Sequence, residues 1–250
     1  MDNKERFTNK VSNYAKYRPT YPAAFIGYLL NEVGLSGSVV ADVGAGTGIL
    51  TRLLAPQVKR IYAVEPNFNM RSACEEYCGG YESFEAVCGS AEETGLPGAS
   101  ADYITVAQAF HWFDRQKAKA EFQRVLVKNG RAVLVWNHRA AENEFIRESD
   151  GLFRRMCPGF NGFSGGSGTV PEEYSDFFRD GKCEYRVFDN DRLLTLEEYT
   201  GSSLSSSYAP LESDRNYGEF VDGLKALFEK YSTGGRLIIP NKTHSYAGLL

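Results

Sequence analysis

The residues best equipped for chemistry stand in one short stretch, Asp42-Val43-Gly44-Ala45-Gly46-Thr47-Gly48. It follows the apolar run Val39-Val40-Ala41 and opens a helical pattern from Ile49 to Leu54. A glycine turn between a buried strand and a helix lets backbone amides approach a ligand that a Cβ would hold off, at the electropositive end of the helix. The spacing separates two ligand classes. A dinucleotide fingerprint needs glycine or alanine at position 49, where this chain has Ile49. Gly-x-Gly-x-Gly, with an acid two positions before the first glycine, instead suits a ligand carrying amine or sulfonium charge. Glu65 closes the next apolar run, about 20 residues on, where nucleotide-binding α/β folds place an acid.

Together these residues resemble motif I and its successors in class I S-adenosylmethionine-dependent methyltransferases. The resemblance implies S-adenosylmethionine as cofactor, held by Asp42, Gly44, Ala45 and Gly46, with Glu65 accepting from both ribose hydroxyls. Gly89 to Pro97 resembles the stretch that holds the adenine, which implies contacts from Ser90, where many members have Asp, and from the backbone amide of Ala91. Ala107-Gln108-Ala109-Phe110-His111-Trp112-Phe113 is similar to the end of strand four in the small-molecule, methyltransferase-11-like branch. That implies Gln108 beside the cofactor and Trp112 at the acceptor cleft. Tyr14 to Pro22 and Glu198 to Tyr208 are similar to the cap and a late segment of the trans-aconitate methyltransferase type.

Methyl transfer from a sulfonium is an in-line displacement in which the protein chiefly aligns the nucleophile and excludes water. A base is needed only where the nucleophile carries a proton. His111 has the suitable ordinary pKa of about 6.5, and two readings stay open, as base or as a packing residue beneath the cap. Tyr14, Tyr17, Arg18 and Tyr21 are read as a lid or as a helix docking on the domain. Arg18 and Arg139 suit an anionic partner, and His138, Tyr199 and Ser202 are further candidates for the acceptor side.

Around these residues, β-branched runs alternate with helical patterns, the signature of a parallel α/β sheet. Strands are expected at 39–43, 60–65, 84–88, 103–107 and 131–136, the last introduced by a turn at Asn129-Gly130, with two more at 184–188 and 236–239. Helices are expected at 49–54, 69–77, 117–126, 142–156, 196–204 and 217–231. The Gly-rich run Pro158 to Gly168 reads as a mobile loop. The resemblance implies a Rossmann-like, doubly wound seven-stranded sheet of order 3-2-1-4-5-7-6, with the last strand antiparallel, plus a helical lid. One domain is expected, with a cap over 1–35, a cofactor core over 36–137, a lid insertion over 138–180 and C-terminal strands and helices over 181–250.

Composition narrows the partners. With 28 Lys and Arg against 32 Asp and Glu, the net charge of −4 lacks the cationic footprint of nucleic-acid binding. No apolar run is long enough to span a bilayer and the first residues are polar, so a cytoplasmic protein with a small-molecule acceptor is expected. The five cysteines and three histidines show no zinc spacing, although Cys74 and Cys78 lie four apart. Asn241-Lys242-Thr243 matches a glycosylation pattern. Two alternatives remain: a nicotinamide-dependent oxidoreductase, and a non-catalytic S-adenosylmethionine-binding protein. Oligomeric state is left undetermined.

Overall fold

A computed structural model describes residues 20–163, 174–206 and 208–250. The described chain falls into two compact units, one drawn from 20–136, 174–188 and 243–250, the other from 137–163 and the described residues of 189–242.

The first unit holds the sheet. Its strands are β1 (Val39–Val43), β2 (Arg60–Val64), β3 (Phe84–Val87), β4 (Ala101–Ala107), β5 (Leu126–Arg139), β6 (Glu184–Asp189) and β9 (Asn241–Leu249), in the order β3-β2-β1-β4-β5-β9-β6. β1 pairs in parallel with β2 and β4, β2 with β3, and β4 with β5; one strand of the sheet runs antiparallel. This is the expected order, β9 being seventh of the strands in this sheet.

The helices α2 (Ile49–Leu54), α3 (Phe68–Cys78) and α4 (Arg115–Val125) follow β1, β2 and β4. Asn67 and Asp114 start the longer two by accepting the Met70 and Lys117 amides on their side chains, which satisfies donors that a helix start leaves free. α1 (Ala23–Tyr28) and the π-turn Leu29–Val33 bury Phe25, Leu29 and Val33 with Val40, Leu50 and Leu54. The described N-terminal segment is therefore a docked helix, and Tyr21 packs into the same core at 7% exposure, 5.6 Å from the Phe25 ring. Tyr14, Tyr17 and Arg18 lie outside the described residues.

Two expectations about the strands change. Asn129-Gly130 does not interrupt β5. Asn129 takes a φ of 66° and the register to β4 moves from Ala101↔Leu126 to Tyr103↔Arg131, two residues against five, so the expected turn is a bulge within one long strand. The run 236–239 was expected to complete the large sheet. Its strand, β8 (Leu237–Ile239), pairs instead with β7 (Arg192–Leu194) in a two-stranded ribbon.

The second unit contains that ribbon with α5 (Glu144–Met156), α6 (Leu196–Leu204) and α7 (Tyr217–Tyr231). Phe145, Phe153, Tyr199, Phe220 and Leu224 form its core. Phe160, in the glycine-rich run, packs there at 6% exposure, whereas 164–168 lie outside the described residues.

Candidate functional site

The loop after β1 is built by three left-handed glycines, Gly44 (φ 71°), Gly46 (φ 58°) and Gly48 (φ 83°). They are needed for different reasons. A Cβ at Gly44 would lie 2.6 Å from the Ala109 Cβ, and one at Gly48 would lie 2.6 Å from the Cys74 sulfur. A Cβ at Gly46 would meet no atom of the described residues within 4 Å. Packing fixes the outer two, while the middle one leaves open space above a strained backbone.

Glu65 faces that space from just beyond β2. Its carboxylate accepts the Gly46 amide at 3.0 Å on Oε2 and the Asn67 amide at 2.8 Å on Oε1. Burial raises its pKa, and these two amides oppose the rise. Each oxygen has a second lone pair, so the clamp on the loop leaves capacity for two hydroxyl donors.

Asp42 plays a different part from the one its position suggested. At 1% exposure it accepts from the Thr51 hydroxyl at 2.6 Å and the Thr105 hydroxyl at 2.8 Å. One oxygen thus ties β1 to α2 and the other ties it to β4, beneath the loop. Burial raises its pKa against the lowering by these hydroxyls. Between Gly46 and Gly48, Thr47 is 3% exposed and its hydroxyl has no hydrogen-bond partner. A buried donor left unpaired is costly, and sequence reasoning passed over Thr47 because the glycines drew all the attention.

Ser90 accepts the Glu92 and Glu93 amides on its hydroxyl, each at 3.2 Å, and so holds a turn. Both lone pairs are engaged there. Ala91 is buried at 3% in the sheet core. Gln108, just past β4, adopts a φ of 59° while its amide donates to the Val135 carbonyl at 2.9 Å. Left-handed backbone is strained for a residue with a Cβ, and here it turns the chain beside the glycine loop, because the next residue is the Ala109 that touches Gly44. His111 and Trp112 occupy the 3-10 turn Phe110–Trp112, with ring centroids 4.8 Å apart. Trp112 is 60% exposed. Desolvation lowers the His111 imidazole pKa from its ordinary value. The first unit therefore gathers Asp42, Gly44, Ala45, Gly46, Glu65, Gln108 and His111 at the carboxyl ends of β1, β2 and β4, where open parallel sheets bind ligands.

The remaining candidates belong to the second unit. His138, 5% exposed, and Arg139 end β5, with the Arg139 guanidinium 3.8 Å over the Phe163 ring. Ser202 accepts from Arg192 at 3.1 Å. Tyr199 was expected to line a cleft. It has no exposed surface and packs 5.8 Å from Phe145 in that unit's core, because it sits on the inner face of α6. Among the described residues, no group of three or more His, Cys, Asp or Glu is placed to hold a metal ion.

Comparison with known proteins agrees with this geometry. Residues 41–134 match the family described as a methyltransferase domain. An uncharacterized methyltransferase-like protein of Schizosaccharomyces pombe is 31% identical over 200 residues, covering 77% of this chain and 73% of the relative. An uncharacterized methyltransferase of Mycobacterium tuberculosis is 37% identical over 142 residues, 57% of this chain and 56% of the relative. The chain belongs to the methyltransferase family. Among solved structures, a type II methyltransferase candidate from Anaeromyxobacter dehalogenans shares the fold at a TM-score of 0.66 and 22% identity, over 93% of this chain and 98% of that one. So does geranyl diphosphate C-methyltransferase from Streptomyces coelicolor, solved with S-adenosyl-L-homocysteine, at a TM-score of 0.50 and 12% identity over 90% and 77% of the two chains.

Proposed function

We propose that the chain is an S-adenosylmethionine-dependent methyltransferase acting on a small-molecule acceptor. The observation that carries this is the clamp of Glu65 on the Gly46 amide beside the open space over Gly46. The unpaired Thr47 hydroxyl supports the same reading, as a donor facing no protein partner.

The cofactor would supply an electrophilic methyl group on its sulfonium. Glu65 binds a vicinal diol by accepting one hydroxyl on each oxygen, and Gly44 to Gly48 present amides from a turn whose shape Asp42 holds through Thr51 and Thr105. His111 takes the proton of a hydroxyl or ammonium acceptor, and the chain's main contribution is alignment, for which well-oriented pairs gain about 7–11 kcal/mol. The similarity of Tyr14 to Pro22 and of 198–208 to the trans-aconitate type supports the small-molecule branch, and the −4 charge disfavours a nucleic-acid acceptor. No described helix is long and apolar enough to cross a membrane, which is in keeping with a cytoplasmic location.

Calorimetric titration tests the cofactor. S-adenosylhomocysteine is expected to bind and NAD is not; NAD binding without S-adenosylhomocysteine binding would return the chain to the oxidoreductases.

A further inference from the structure

Behind the glycine loop lie two thiols that methyl transfer leaves unused. Cys74 and Cys78 stand one turn apart on α3, and neither has exposed surface. A Cβ on Gly48 would come within 2.6 Å of one sulfur and 2.9 Å of the other, so the third glycine of the loop rests directly on the pair. The Cys78 thiol donates to the Gly48 carbonyl at 3.6 Å. Only Ala63, with Ala45 and Phe84 at the margin, completes this small cluster. The hydrogen bond between the thiols raises the pKa of Cys74 and lowers that of Cys78, which makes Cys78 the better nucleophile. Residues four apart on a helix have Cα atoms about 6 Å apart, inside the roughly 4.4–6.8 Å of a disulfide, but Cβ atoms about 5–6 Å apart against the roughly 3.5–4.5 Å it needs, so closure unwinds the last turn of α3.

We infer that Cys74 and Cys78 form an oxidation site for hydrogen peroxide, and that closing their disulfide loosens the glycine loop and weakens cofactor binding. The effect on cofactor rests on the function proposed above. The Cys78 thiolate attacks one peroxide oxygen, the O–O bond breaks, and the departing oxygen leaves as water after taking up a proton. The Cys74 sulfur then displaces hydroxide from the Cys78 sulfenic acid, and that hydroxide leaves as water with the Cys74 proton. Two thiols and one peroxide give one disulfide and two waters, with two electrons passing from sulfur to peroxide. Access comes through the end of α3, where Cys78 is the last helical residue and Gly79-Gly80 follow; helix ends open most readily. Drawing the sulfurs together removes the surface that supports Gly48, and lost contacts at the base of the loop reach its amides.

The experiment uses the full chain with Cys88→Ser, since Cys88 is exposed. It is treated with hydrogen peroxide, and cleavage at Glu75 and Glu76 separates the two cysteines. The expected results are loss of two hydrogens by mass, a linked Cys74–Cys78 product and faster amide exchange over 44–48. S-adenosylhomocysteine affinity should fall about tenfold, within the usual range for coupled sites, and dithiothreitol should restore it. Cys74→Ala, in the same background, binds S-adenosylhomocysteine and forms no link; peroxide adds at most one oxygen at Cys78 and leaves exchange over 44–48 unchanged. Oxidation that leaves Cys74 and Cys78 unlinked overturns the proposal, as does a linked protein with unchanged exchange over 44–48. Failure of the reduced protein to bind S-adenosylhomocysteine overturns the proposed function instead, and the exchange measurement still decides the effect of the disulfide.

Discussion

Asp42 and Glu65 are both buried acids at the mouth of one sheet, yet they are used in opposite ways. Glu65 accepts one backbone amide on each oxygen, from Gly46 and Asn67, whereas Asp42 gives both oxygens to threonine hydroxyls beneath the loop. Burial raises both pKa values, so ionisation opposes folding. Their contribution to stability is full below the unfolded carboxylate pKa of about 4 and is lost as pH rises through the raised values. Asp42→Asn removes one such ionisation while its amide can still meet both threonines. The variant should melt above wild type near neutral pH, with the gap closing toward pH ~4; a melting point below wild type at neutral pH contradicts this. His111 has the reverse sense, because its lowered pKa keeps it neutral. His111→Ala should leave S-adenosylhomocysteine binding intact and reduce turnover at least tenfold, a conservative bound against the roughly 10²–10⁴-fold that a positioned base supplies. An unchanged rate with the native acceptor rejects the role. At this scale the sequence was half legible: the type and spacing of Asp42 and Glu65 drew attention to the ends of β1 and β2, but only coordinates reveal that Thr51 and Thr105 occupy Asp42.

Among the elements, the glycine loop makes the sharpest forecast, since its glycines serve different masters. Gly46→Ala meets no atom and bears only left-handed strain, about 1 kcal/mol; it should fold and lose S-adenosylhomocysteine affinity. Gly48→Ala adds overpacking against two sulfurs, a further ~1–3 kcal/mol, and should lose stability first. Urea denaturation paired with calorimetry separates them, and equal stability losses would refute the distinction. The helices 49–54, 196–204 and 217–231 were readable to the residue because capping residues or glycine bound them; Thr195 and Glu198, for instance, form a reciprocal cap on α6. β9 was not readable. Asn241-Lys242-Thr243-His244-Ser245-Tyr246-Ala247-Gly248-Leu249 has no aliphatic β-branched residue, yet Thr243 and Ser245 are fully buried between β5 and β6. Close approach explains the small residues: a Cβ on Gly248 would lie 2.7 Å from the Phe178 ring. Tight packing selected size over the hydrophobicity on which strand recognition depends.

For the molecule as a whole, alternating strands and helices made the parallel sheet legible, whereas the division into two cores was not, because the second unit is assembled from separated stretches of chain. Phe153 anchors that second core, unexposed and within 5.1 Å of the Phe163 and Phe220 rings. Phe153→Ala should destabilise by about 3–5 kcal/mol, with amide protection lost in α5, α6 and α7. Loss spread evenly through β1 to β4 would refute a separate core. The glycosylation pattern at Asn241-Lys242-Thr243 gains a different meaning from burial. Asn241 is 4% exposed within β9, and its backbone amide donates to the Asp191 carboxylate at 3.0 Å. An oligosaccharide is attached to a nascent chain before it folds, so recombinant export through a eukaryotic secretory route would place a bulky sugar where the finished sheet has no room. Protein made that way should be retained as a glycosylated, protease-sensitive species, while the Thr243→Val variant, lacking the acceptor pattern, should escape this trap.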